Sequence, residues 1–423
     1  MSVSRAPSNV LSFEDARRVV EEQAAHVQAR GTEPVDLLVA GGRVLAELVL
    51  ADRDLPPFPR STRDGYAVRA GDLAQLPATL DVIGEIKAGE KIDRIPSRVG
   101  SGQAVAIMTG APVPAGADAV VMVEYTTGHG ERVEVARGVA AGENVVPRGA
   151  EARQGSLLLD RGLRLTEADI AVAASVGKSE LEVYRQPRVA VLSTGDEIVD
   201  VDDCAPGPTQ IRNSNSYSVA SQILKTGGQP VVLPVAPDEP QKLRRLIDEG
   251  LKSDLLLLTG GVSMGRYDLV EQVLSEMQAE FFFTGAKIQP GRPVVFGKCG
   301  AGTSDRGRSL GSTYFFGLPG NPVSTMVTFE LFARPMLEAL AGQRRHKLVF
   351  LHARAKAEIR IKPGLRRFLP AILSGEFENS EVELVTWHGS GDIAATARAN
   401  CYVVIPPDRE SIRAGDWVAV MMR

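Results

Sequence analysis

Three glycine-containing segments carry the residue types that hold phosphate: Ser193-Thr194-Gly195-Asp196-Glu197, Thr259-Gly260-Gly261-Val262-Ser263 and Leu318-Pro319-Gly320-Asn321-Pro322. Each follows an apolar run, Val189–Leu192, Leu255–Leu258 and Tyr314–Phe316, the pattern of a strand buried on both faces of a parallel sheet. In an open α/β sheet, ligands sit beyond the carboxyl ends of the strands. Loops that share that rim can converge on one ligand. Glycine lets the backbone approach it closely. Backbone N–H groups at Gly195, Gly260, Gly261 and Gly320, with the hydroxyls of Ser193, Thr194 and Ser263, are donors suited to phosphate. Helices that start after two of these loops would add positive partial charge. Neither G-x-x-x-x-G-K-[ST] nor an opening G-x-G-x-x-G occurs, so this is not a P-loop or a dinucleotide fingerprint. Taken singly, each segment is equally a polar turn.

Glu197, Asp238 in VAPDEP and Asp268 in GRYD fall on the same expected rim, where a carboxylate set would hold Mg²⁺ against phosphate. Each is alternatively a helix cap, Asp238 above all. Lys287 and Arg292 flank Gln289-Pro290-Gly291, and cations beside a Pro-Gly turn suit an oxyanion. A solvated loop is the alternative.

The elements that must position these groups are legible as alternating strand and helix from Arg188 to about Gln343, a doubly wound sheet. Helices are expected near Ser216–Leu224, closed by Gly227-Gly228, over Gln241–Leu251, and from the LPGNP turn through Leu340; a further strand is expected over Val231–Val235. Upstream, Ser12 with Asp15 reads as a capping box for a first helix. Leu37, Leu38, Val44, Leu45 and Leu48 predict a second helix over Val35–Leu50, weakened by Gly41-Gly42. Asp52–Leu73 reads as one long loop. From Leu80 to Val146, short strands at Leu80–Ile83, Ala104–Met108, Ala119–Val123 and Val133–Val135 predict a small β-barrel or sandwich. Leu165–Val176 returns to helix, with Thr166 as N-cap, and Lys347–Arg423 reads as a second small β domain.

At 423 residues the chain exceeds one core. Its 44% hydrophobic and 24% charged residues are those of a soluble globular protein, and a net charge of −4 carries no nucleic-acid footprint. Three separated cysteines and five histidines without ligand spacing speak against a disulfide framework and a zinc site. No apolar stretch of about 18 residues marks a membrane span, and nothing resembles a signal peptide. The expected place is the cytoplasm.

Beyond these readings the chain resembles the molybdopterin molybdotransferase (molybdenum insertase) family, whose eukaryotic relatives include the E domain of gephyrin. The segments that carry the likeness are DGYAV at Asp64–Val68, IMTGAPVP at Ile107–Pro114, GEN…RG at Gly142–Gly149, STGDE, TGGVS, PGRP at Pro290–Pro293, LPGNPVS at Leu318–Ser324 and GSGD at Gly389–Asp392. The resemblance implies a multidomain α/β plus β chain. Residues 1–50 and 150–186 would form an N-terminal helical and linker domain, 51–149 an inserted β domain, 187–345 the α/β molybdopterin-binding domain and 346–423 a C-terminal β-barrel. It implies a homodimer in which the α/β domain of one subunit faces the Asp64 and Thr109 loops of the other. The implied reaction takes adenylylated molybdopterin, delivered by a molybdopterin adenylyltransferase, and molybdate with Mg²⁺, and yields molybdenum cofactor and AMP. Asp64, Thr109, Glu197, Asp238, Asp268 and Ser390 match functional positions of the family. Glu151 replaces a usual aspartate, Gln289 a usual lysine and Pro370 a usual arginine; Arg292, Arg366 or Arg367 are the cations left to substitute. A molybdopterin adenylyltransferase and a non-catalytic gephyrin-like scaffold are the alternative readings.

Overall fold

Alternate residues of Val189–Leu192 and Leu255–Leu258 point to opposite faces, and since all are apolar, helices must cover both. The computed structural model, which describes residues 9–203, 205–261, 269–300 and 312–423, shows this arrangement. Within the α/β unit the strands are β1 (Arg188–Ser193), β2 (Gln229–Val232), β3 (Leu255–Thr259), β4 (Glu280–Phe283), β5 (Val295–Gly300) and β6 (Ser312–Leu318). They lie in the order β2-β1-β3-β6-β5-β4. β2, β1, β3 and β6 are parallel, and β5 and β4 extend the sheet antiparallel. Strand β2 ends at Val232, short of the expected Val235.

Helices α1 (Ser214–Thr226), α4 (Pro322–Thr328) and α5 (Arg334–Leu340) cover one face with Val189, Val191, Leu255 and Leu257. Helices α2 (Pro240–Gly250) and α3 (Leu269–Glu276) cover the other with Ala190, Leu192, Leu256 and Leu258. A π-helical turn, Phe329–Ala333, joins α4 to α5.

Ser12 is the N-cap: its Oγ accepts from Asp15 N at 3.0 Å and donates to Asp15 Oδ2 at 2.7 Å, which starts the helix Phe13–Ala24. That helix, grouped above with residues 1–50, instead buries Phe13, Ala16, Val20 and Ala24 in the core of the α/β unit. The helix expected over Val35–Leu50 is absent. Thr32–Asp36 pairs antiparallel with Glu180–Tyr184, Leu37–Val39 is a 3₁₀ turn and Val49–Leu50 pairs with Leu157–Leu159. Leu38, counted on the apolar face, is 95% exposed. Long-range pairing with residues 157–184 overrode the local period. Glu167–Ser175 is helical, with the reciprocal Thr166–Asp169 capping box.

Asp52–Leu73 is not a single loop, because Gly65–Val68 is a strand inside a six-stranded sheet with Ala78–Ile86, Gln103–Ile107, Ala119–Met122, Thr126–His129 and Arg132–Val135. Neighbouring residues such as Ala67 and Val68, or Val120 and Val121, serve separate apolar clusters on its two faces. At the C-terminus, Arg366–Ser374, Glu381–Leu384, Leu351–Ala355, Trp417–Met422 and Cys401–Ile405 close on themselves as a five-stranded barrel, because Arg366–Ser374 pairs with both its neighbours in the ring. No helix among the described residues is long and apolar enough to cross a membrane.

Candidate functional site

The registers Ser193↔Thr259 and Thr259↔Leu318 put the ends of β1, β3 and β6 level on one rim. Their loops border a cavity of about 1020 Å³ whose lining includes Thr194, Glu197, Asp238, Gly261, Gly320 and Asn321. Gly260 and Gly261 take φ of +89° and +62°, which L side chains rarely adopt. A Cβ at Gly260 would stand 2.6 Å from Thr194 O, and one at Gly261 2.8 Å from Thr194 Oγ1. Glycine there is what lets the β1 and β3 loops touch.

The donors divide unequally. Gly195 N is committed to Ala236 O at 3.1 Å and Gly260 N reaches Leu318 O at 3.3 Å, so neither is the free donor expected of it. The N–H groups of Gly261 and Gly320 have no partner among the described residues. Ser193 is buried, and its hydroxyl belongs to the floor: it meets Asn213 Oδ1 at 3.0 Å, Ser216 Oγ at 2.9 Å and Thr259 Oγ1 at 2.8 Å. Thr194 is 4% exposed, and its Oγ1 is buried with no hydrogen-bond partner among the described residues.

After Glu197 the chain runs through a short strand pair before the helix expected near Ser216–Leu224. Ile198–Val199 pairs parallel with Ile211–Arg212, and Ile211 N donates to Glu197 O at 2.8 Å, which ties Glu197 to the rim. Asp238 is held nearby, its N donating to Asp196 Oδ1 at 3.0 Å. Ser263 and Asp268 lie outside the described residues. Among the described residues no group of three His, Cys, Asp or Glu side chains could hold a metal by itself. Glu197 and Asp238 nonetheless suit Mg²⁺, which takes one or two carboxylates and completes its shell with phosphate oxygens and water.

The segment Ile211–Asn215 was not recognised from sequence. Arg212 is the only cation among the described lining residues, and its Nη2 is steadied by Asp203 O at 2.8 Å. Asn213 caps α1, accepting from Ser216 N. Asn215 Nδ2 donates to Gly320 O at 2.7 Å. The run Asn-Ser-Asn-Ser before a helix was a capping signal that could have drawn attention to it.

Ser390 comes to this rim from the barrel: its Oγ accepts from Asn321 Nδ2 at 2.9 Å and its O from Val323 N at 3.0 Å, while Gly391 and Ile393 line the cavity. Lys287 and Arg292 are exposed and absent from the lining; only Pro293 of that loop reaches it. Arg366 is paired with Glu14, and Arg367 Nη2 donates to Lys362 O at 2.6 Å. Asp64 and Thr109 meet each other in the inserted sheet and not on the cavity: Thr109 N and Oγ1 donate to Asp64 Oδ1 at 2.6 and 2.8 Å. Those bonds favour the carboxylate and hold the Asp64 pKa below the usual 3.8. Glu151 pairs with Arg60 at 2.9 Å.

Comparison with known proteins adds to this geometry. Residues 11–177 match the MoeA N-terminal region (domain I and II), 190–339 a probable molybdopterin binding domain and 352–422 the MoeA C-terminal region (domain IV). A protein of Haemophilus influenzae named molybdopterin molybdenumtransferase is 33% identical over 97% of this chain and 98% of its own. One of that name from a Nostoc species is 33% identical over 92% of this chain and 88% of its own. A crystal structure of the molybdopterin biosynthesis moeA protein of Pyrococcus horikoshii superposes with a TM-score of 0.75 at 26% identity, covering 98% of this chain and 100% of that one. With that identity sustained across nearly its whole length, the chain belongs to the molybdopterin molybdenumtransferase family.

Proposed function

We propose that this transferase inserts molybdate into adenylylated molybdopterin in a Mg²⁺-dependent reaction that releases AMP and molybdenum cofactor. The observation that carries the reading is the single rim on which three glycine loops border one large cavity with Glu197, Asp238 and two amides that have no partner among the described residues. A nucleotide-bearing pterin needs such length, and its phosphates need donors without competing partners. Gly261 and Gly320 N–H supply those donors, and Arg212 supplies the positive charge. Glu197 and Asp238 would hold Mg²⁺, which when bound neutralises charge on the bridging phosphates. Asn321, positioned by Ser390, fixes the third loop against the barrel. The dithiolene sulfurs belong to the pterin, so molybdate requires no cysteine from the protein; of the cysteines, Cys299 and Cys401 are buried and absent from the cavity lining, and Cys204 lies outside the described residues.

In the same reading the protein is a cytoplasmic homodimer, receives its pterin from an adenylyltransferase, and completes each cavity with the Asp64 and Thr109 loops of a second copy. The test is to mix protein, adenylylated molybdopterin, Mg²⁺ and molybdate and follow AMP. Molybdate-dependent AMP release is expected. Release that ignores molybdate, or AMP appearing only when ATP is supplied, would overturn the assignment.

A further inference from the structure

Adjacent residues of the loop after β1 are put to different uses. Glu197 lines the cavity, whereas Asp196, one position earlier, does not. Gly195, at φ +134°, leaves room for the Glu197 carboxylate to lie over the loop, since a Cβ there would stand 2.4 Å from Glu197 Oε2. The Asp196 carboxylate goes to the neighbouring chain, where its Oδ1 accepts from Asp238 N at 3.0 Å.

Asp238 has few other means of being held. Beyond β2 the chain stays zipped to the end of β1 as far as Ala236, whose N donates to Ser193 O at 2.8 Å and whose O accepts from Gly195 N at 3.1 Å. Pro237 and Pro240 carry no N–H, so the backbone donors between Ala236 and Gln241 are those of Asp238 and Glu239. Glu239 N turns back on Pro237 O at 2.7 Å, a bond local to its own three-residue turn. Of the two, Asp238 N is the one that crosses to the Glu197 loop, and Asp196 is what it meets. The side chain adds no second tether: among the described residues neither the Asp238 nor the Glu197 carboxylate has a hydrogen-bond or ion-pair partner. We propose that Asp196 is a positioning residue, which sets Asp238 beside Glu197 for the divalent cation and is not itself a ligand to it. The role calls for an acceptor and not for a negative charge, because an amide oxygen accepts from a backbone N–H as a carboxylate oxygen does. This rests on the reading of Glu197 and Asp238 as the carboxylates that hold Mg²⁺.

The experiment titrates the intact protein and its Asp196→Asn and Asp196→Ala variants with Mn²⁺, which takes the same oxygen ligands as Mg²⁺, and follows free Mn²⁺ by electron paramagnetic resonance with and without AMP. Salt of about 0.15 M largely screens an exposed charge that lies outside the metal's shell. Hydrogen exchange of the peptide Leu233–Leu243, in which three prolines leave few other amides, reports the Asp238 N–H directly. Asp196→Ala should weaken Mn²⁺ by about tenfold and lose one protected amide from that peptide. Asp196→Asn should keep the protection and stay within about threefold of the native affinity. Should Asp196→Asn keep the protected amide yet weaken Mn²⁺ as much as Asp196→Ala, the charge is what matters and the assignment falls. It falls equally if Asp196→Ala binds Mn²⁺ like the native protein. Should the native protein bind no Mn²⁺ under either condition, the reading of the two carboxylates as a metal site falls, whatever hydrogen exchange shows of the Asp196 bond. The affinity of Asp196→Asn separates acceptor from charge even where Asp196→Ala loses folded protein.

Discussion

Asp64 shows how a single carboxylate is conditioned by its neighbours. Two donors from Thr109 converge on one of its oxygens, and no cation contributes to the shift. A carboxyl whose folded pKa lies below its unfolded value stabilises the fold above the unfolded value and loses that contribution as pH falls through the folded one. The melting temperature of the native protein should therefore exceed that of Asp64→Asn by a constant margin above about pH 5, and the margin should shrink below about pH 4. Melting curves of both proteins between pH 3 and 7 would show it, and a margin that ignores pH would contradict the bonding. The same carboxylate is poised to act as a charged group at neutral pH, where the proposed second subunit's cavity would meet it.

Helix α1 is the element on which the site most depends. Its cap, Asn213, is 5% exposed, accepts from Ser216 N and Ser193 Oγ, and donates to Ser216 Oγ at 3.0 Å. Removing it strips the helix start and leaves the Ser193 hydroxyl one partner short beneath the floor. Asn213→Ala should cost about 1–2 kcal/mol in urea denaturation, and it should weaken nucleotide binding because Arg212 and Asn215 flank the cap. An unchanged affinity with lowered stability would show that the cap is structural and does not position its neighbours.

Across the whole molecule, the barrel and the α/β unit share one core. Phe368 and Tyr402 of the barrel sit in the same apolar cluster as Phe13, Phe332 and Leu337, and the Phe13 and Phe368 rings meet edge to face at 5.5 Å. The barrel is tied to the α/β unit a second time where Ser390 bonds Asn321 and Val323 at the LPGNP loop. Phe368→Ala should cost about 3–5 kcal/mol, as for other large aromatic deletions in cores. Calorimetry should then resolve the barrel transition from that of the α/β unit; a single sharpened transition at the native temperature would contradict a shared core. Coupling of this kind explains why a residue more than sixty positions beyond the LPGNP loop can belong to its rim.

The sequence by itself determined the parts whose physics is local. Continuous apolar runs ending in glycine-containing turns named β1, β3 and β6 and their loops, and the Ser12 and Thr166 caps marked their helices, because periodicity and capping act within a few residues. Tertiary structure decided what depends on partners far away in the chain. Thr32–Asp36 and Val49–Leu50 became extended because Glu180–Tyr184 and Leu157–Leu159 offered edges to pair with, and Leu38 ended in solvent despite its helical spacing. Gly195 N and the Ser193 hydroxyl were donors on paper, yet packing gave them to Ala236 and to the buried network under β1. Arg212 and Asn215 acquired their place only when β1, α1 and the Gly320 turn came together. A hydrogen-bonding group is available to a ligand only if no nearer acceptor claims it, and which acceptor is nearest is a property of the folded chain.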